Sequence, residues 1–155
     1  SPEWIPRLNQ LEEEFPGLRA SPYAITSPAS AAYNCIAWAA RDTERWWEPD
    51  PFFLYFWPPQ SPRRYDVGAY TAAYGALGFE VCADAIYEPG FEKLALFIGS
   101  DGRPKHAARQ LIGGAWTSKL GKAEDIEHNP LESLAGSSYG EPTVFLKRRV
   151  MSDHR

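Results

Sequence analysis

The chain is short of cysteine: Cys35 and Cys82 are its only two among 155 residues, which excludes a disulfide framework as the source of stability. A chain of this length buries enough core to fold without such staples. A reducing compartment is the simpler expectation, and the cytoplasm the expected location. No apolar run approaches the roughly 20 residues of a membrane helix, so no membrane association is expected. The first residues lack a secretory pattern, although a start at Ser1-Pro2 leaves a longer parent open. Excess positive charge is missing too, with 16 Lys and Arg against 20 Asp and Glu and a net charge of −4. The basic residues are scattered apart from Lys147-Arg148-Arg149, which suits the solvated end of a terminal strand; no nucleic acid partner is expected. Cys35, Cys82, His106 and His128 lack the close pairing of zinc ligands, and Gly113-Gly114 lacks the further glycines of a phosphate loop. No metal and no cofactor is expected. No repeat is visible, and the length fits a single domain over 1–155 with its core at about 18–149.

What is present reads as helices first and strands later. Residues 5–15 carry Leu8, Leu11 and Phe15 at helical spacing, stopped by Pro16-Gly17. Residues 18–32, rich in Ser, Ala and Pro, read as a loop. A helix opens after Asn34, a good cap, with Cys35, Trp38, Ala39 and Asp42 at helical spacing and an end expected at 42–45. From 46 to 59 prolines alternate with Trp46, Trp47, Phe52, Phe53, Tyr55, Phe56 and Trp57. Proline blocks regular structure there while the rings demand burial, so an ordered wrapping loop is expected, either a cleft wall or a lid on the core. Asp66 caps a helix bearing Tyr70, Ala73, Tyr74 and Leu77, closed by Gly78. Strands are expected at 79–83 and 94–98, then at 106–112 and 115–120. Ser100-Asp101-Gly102 and Gly113-Gly114 make the turns of two successive hairpins. Asn129-Pro130 opens a short helical stretch, and 143–149 forms a final edge strand. The order of elements predicts an α+β fold with an antiparallel sheet.

One pairing of residues has a chemical logic. A helix start leaves backbone N–H groups unpaired and partly positive, which favours a thiolate at Cys35. His106 opens a strand after a turn, from which an imidazole can face such a helix and act as base. The competing view is that Cys35 is a small core residue beside Trp38 and Ala39 and His106 an exposed hairpin residue. His128 reads as a loop residue contacting its own backbone, and His154 as part of a terminal tail.

The run from Pro22-Tyr23 to Asn34-Cys35, with Lys105-His106-Ala107-Ala108 and then Trp116-Thr117-Ser118-Lys119 downstream, resembles NlpC-type cysteine peptidases of the papain-like superfamily. Those carry Pro-Tyr, then Asp-Cys-Ser-Gly at a helix start, then a strand-borne His and a polar orienting residue. Asn34 stands here for the Asp, and Ile36-Ala37 for Ser-Gly. The chain also resembles an uncharacterised bacterial family with an Asn-Cys-Ile-Ala-Trp-Ala signature. The first resemblance implies a papain-like fold, with the cysteine helix packed on a central antiparallel sheet. It implies a cysteine hydrolase or acyltransferase acting on an amide or peptide bond of a peptide or protein substrate. Cys35 would be the nucleophile, His106 the base and Ser118 the orienter, with Lys119 or a backbone carbonyl as rivals. The Cys35 N–H would serve the oxyanion, and Tyr23 and Asn34 the oxyanion or substrate. Two further readings stay open: a noncatalytic interaction domain using the aromatic loop, and a toxin or effector domain.

Overall fold

The structure is a computed structural model and describes residues 4–150. Its frame is one seven-stranded antiparallel sheet in the order β1-β6-β5-β4-β3-β7-β2. The strands are β1 (Tyr23–Ser27), β2 (Glu80–Cys82), β3 (Phe91–Ile98), β4 (Pro104–Gln110), β5 (Trp116–Lys119), β6 (Asp125–His128) and β7 (Glu141–Arg149). Among the described residues three α-helices accompany them: α1 (Trp4–Glu14), α2 (Cys35–Ala39) and α3 (Val67–Gly75). This is a β-rich fold, and it overturns the expected α+β, papain-like architecture. The helix that was to carry the cysteine and form a layer of that fold has five residues.

The early end of α2 has a local cause. Ala40 caps it, Arg41 turns to the left-handed region at φ 64°, and Arg41 N–H and Asp42 N–H return to the carbonyls of Trp38 and Ala37. That pair of bonds closes a helix end in the Schellman manner, with arginine where glycine is usual. Asp42 then accepts from Glu44 N–H and Arg45 N–H and turns the chain away.

The two expected hairpins formed. β3 pairs with β4, and β4 with β5. Two strands were not foreseen: β1, inside the supposed loop of residues 18–32, and β6, its partner. β7 is not an edge strand, since β3 flanks it on one side and β2 on the other.

Side chains alternate across the sheet, so each strand divides between two cores. On the first face Leu94, Leu96, Ala107 and Leu146 pack with α2, α3, Trp47 and Trp57. On the second, Ala95, Phe97, Ala108, Trp116 and Ile126 pack with Leu11 of α1 and with Phe15 just after it. Asp66 caps α3 as expected, accepting from Ala69 N–H at 2.8 Å, and α3 turns Tyr70 and Tyr74 into the first core.

Candidate functional site

Cys35 stands at the first position of α2, and Asn34 caps the helix. Asn34 Oδ1 accepts from Ala37 N–H at 3.2 Å and Trp47 N–H at 3.1 Å, while its Nδ2 donates to the Trp47 carbonyl at 2.7 Å. Its amide is therefore occupied in tying the aromatic loop to the helix, where a contact with the oxyanion or substrate was expected. The loop does form a wall. A cavity of about 300 Å3 is lined by Cys35, Trp46, Glu48, Tyr70, Lys105 and Tyr139, among others.

Cys35 as a residue is 8% exposed, and opposing effects act on its thiol. Burial pushes its pKa up, while N–H groups of Ala107, Ile36 and Cys35 itself and the charge of Lys119 pull it down. Burial wins, and the pKa is pushed up to about 11, so the resting group is a thiol.

The contact with Ala107 N–H has a structural origin. Strands β4 and β5 are paired only at Arg109↔Thr117 and Gln110↔Trp116. Toward the start of β4 they part, which frees the Ala107 N–H for the sulfur of Cys35.

His106 is fully buried, one residue earlier on β4, but it lies on the other face. Its ring stacks on Tyr139, with centroids 4.2 Å apart and planes at 6°, and meets Phe97 edge-on at 5.2 Å. Neither ring nitrogen has a hydrogen-bond partner. The imidazole is thus neither the exposed hairpin residue of one expectation nor hydrogen-bonded to Cys35 as the other required. Burial and the neighbouring His128 push its pKa well down, which makes it neutral. Tyr139 touches both regions, since it lines the Cys35 cavity and stacks on His106.

Ser118 does not orient His106. Its Oγ lies 2.8 Å from His128 Nε2, and the opposite ring nitrogen of His128 lies 3.2 Å from the Pro130 carbonyl. A carbonyl only accepts, so Nδ1 carries the proton and Nε2 accepts from the serine hydroxyl. His128 is thereby a buried strand residue that does contact its own neighbouring backbone. Its pKa is pushed down to about 4 by burial.

Tyr23 is remote from Cys35. It donates to Glu12 Oε2 at 2.5 Å, packs against the second core and lines a groove with Leu8 and Ile25.

The residues near Cys35 that sequence reasoning missed are Tyr33, Asp125 and Tyr139, and it underrated Lys119. Lys119 Nζ donates to the Ser30 carbonyl at 2.7 Å and the Gly121 carbonyl at 2.6 Å, and sits 4.8 Å from the centre of the Tyr33 ring. Tyr33 in turn donates to Asp125 at 3.0 Å, and Thr26 holds the same carboxylate. Spacing along the chain gave no signal for this set, because it is assembled from β1, β5, β6 and the approach to α2. Among the described residues no three His, Cys, Asp or Glu side chains converge as metal ligands would.

Residues 24–147 match a family model described as Domain of unknown function (DUF7689). The chain belongs to this family. The matched span holds Cys35, His106, Ser118, His128 and Tyr139, and Tyr23 falls just before it. No curated protein and no solved structure matches the chain, so no link to NlpC-type peptidases comes from these comparisons. Among the described residues no helix is long and apolar enough to cross a membrane.

Proposed function

We propose that the protein is a thiol-dependent enzyme that hydrolyses or transfers the acyl group of an amide or peptide bond, with Cys35 as nucleophile and His106 as base. One meeting of features at the start of β4 carries this reading. A cavity lined by Cys35 and backbone N–H groups aimed at its sulfur lie on one face there, and a buried imidazole with neither nitrogen engaged lies on the other. An unsatisfied buried imidazole is costly, and such groups are retained where chemistry uses them.

In the reaction, Cys35 Sγ bonds to the substrate carbonyl carbon and His106 takes the thiol proton. The amine leaves with that proton, and water or a second amine then resolves the thioester. The N–H groups of Cys35 and Ile36 turn to the oxyanion. The proton transfer requires His106 to reach the Cys35 face through the gap where the β4–β5 pairing ends, beside Tyr139, which lines the cavity and stacks on the imidazole.

Alkylation tests this. Iodoacetamide at pH 7 should modify Cys35 at least about tenfold faster than Cys82, with His106→Ala erasing the difference. With its pKa pushed up to about 11 and no base engaged, Cys35 would react no faster than Cys82, so equal or slower modification would identify it as a core group and end the reading.

A second reading rests on the outer aromatic loop. Phe52, Phe53 and Leu54 are 79%, 74% and 73% exposed. The Asp50 carboxylate holds them up by accepting from the N–H groups of Phe52, Leu54 and Tyr55 and pairing with Arg63. A rigid cluster of exposed apolar side chains suits a noncatalytic protein contact. A Cys35→Ala chain that keeps its full cellular effect would favour this alternative.

A further inference from the structure

At the opposite end of β4 from Cys35, a different problem is left unsolved by the protein's own side chains. Arg109 is 7% exposed and stacks its guanidinium 5.4 Å from the Trp38 ring of α2. Its Nε has no hydrogen-bond partner, and no carboxylate pairs with it among the described residues. Burying a guanidinium without an anion is expensive, since a charge removed from water is ordinarily paired.

The surroundings deepen the deficit. The nearest buried carboxylate, Glu92, is already shared by Arg41 and by Arg148, the latter at 3.1 Å. Asp125, further off, is held by Tyr33 and Thr26. Three guanidinium groups therefore face one carboxylate, a local charge of about +2 in a chain whose net charge is −4.

Arg109 borders a cavity of about 160 Å3, which Arg41, Phe91, Glu92, Gln110 and Val150 also line. Water takes about 30 Å3 in the liquid, so the space suits a ligand the size of a few water molecules. Gln110, the next residue on β4, sends its side chain to the other face, where its Nε2 donates to the Ala85 carbonyl at 3.0 Å. The site thus offers an unpaired cationic fork and an apolar wall.

We infer that this cavity is a binding site for a small oxyanion, a carboxylate or a phosphate. The guanidinium of Arg109 takes the oxyanion, in the planar geometry that matches both groups. The carbon body of a short carboxylate meets Phe91 and Val150. The site shares no lining residue with the Cys35 cavity and does not depend on thiol chemistry.

Acetate and inorganic phosphate, each compared with chloride at equal ionic strength, separate the two sources on the whole chain. The better ligand at saturation should raise the Tm by about 5 °C or more, and the larger shift assigns the site to a carboxylate or to phosphate. Arg109→Met should lower the calorimetric affinity for the best anion at least tenfold and remove its Tm shift. The same variant in chloride should melt no lower than the parent, because it deletes a buried unpaired charge and keeps the side-chain volume. Wild-type protein that responds to neither anion beyond chloride, or Arg109→Met that responds equally, overturns the inference.

Discussion

The two faces of the sheet bury reactive groups in different ways. On the first face Cys35 is buried at the edge of a cavity, against backbone N–H groups and near the positive charge of Lys119. On the second, His106 and His128 are buried among aromatic and aliphatic side chains. His128 is satisfied at both nitrogens and His106 at neither. The difference teaches that burial alone does not mark a functional group: a buried group with its partners made reads as architecture, and a buried group with partners missing reads as a site held ready.

The largest test of that comparison removes a side chain from each face of one strand. Phe97→Ala, beneath His106, should cost about 3–5 kcal/mol, and Leu94→Ala, on the Cys35 face, about 2–5 kcal/mol. Both losses should appear in a single guanidinium unfolding transition. Two separate transitions would mean that the faces unfold independently.

Acid should strike the second face next. His128 has a folded pKa of about 4 and an ordinary unfolded value near 6.5, so the unfolded chain binds more protons between those values. Stability from this residue is full above about pH 6.5 and is lost as pH falls toward 4, by roughly 3 kcal/mol in all. His106, pushed down in the same direction, adds to the loss. Denaturation at pH 7 and at pH 4.5 measures it, with His106→Phe predicted to flatten the fall. A flat profile for the parent chain would contradict the burial of both rings.

Asn34→Ala sharpens the first face with the smallest effect, about 1–2 kcal/mol by thermal or chemical denaturation, from loss of the cap and of the bonds to Trp47. Because those bonds fasten one wall of the cavity, the variant should also speed alkylation of Cys35. An unchanged stability would show that the aromatic loop is anchored elsewhere.

How far these features were legible depended on the range of the interactions that make them. Asn34 and Asp66 were readable as caps because each satisfies an N–H three residues away. The turns before β4 and β5 were readable because glycine serves the left-handed conformations at Gly102, Gly113 and Gly114. β1 was missed because it is short and gains its ladder only from β6, about a hundred residues away in the chain, and β6 because it is only four residues long between β1 and β5. β7 was taken for an edge because its basic end suits one. It is internal because the short β2 returns to cover it.

The candidate site divides in the same way. Cys35 at a helix start and His106 on a strand after a turn were both legible. Their relation was not, since a strand sends successive side chains to opposite faces and the register alone decides which face each receives. Ser118 was read as a partner for His106, but β6, unseen in the sequence, brings His128 to it.

The sequence by itself determined the turns, the caps, the lack of disulfide support and the presence of a cysteine at a helix entry, all of which rest on contacts within a few residues. Only the tertiary structure decided that the protein is a seven-stranded sheet. It also decided that Cys35 and His106 flank a parting between β4 and β5 from different sides, and that Arg109 lies buried beside two other arginines. Those outcomes depend on strand pairing between distant segments, and no local propensity encodes which face or which partner such pairing will supply.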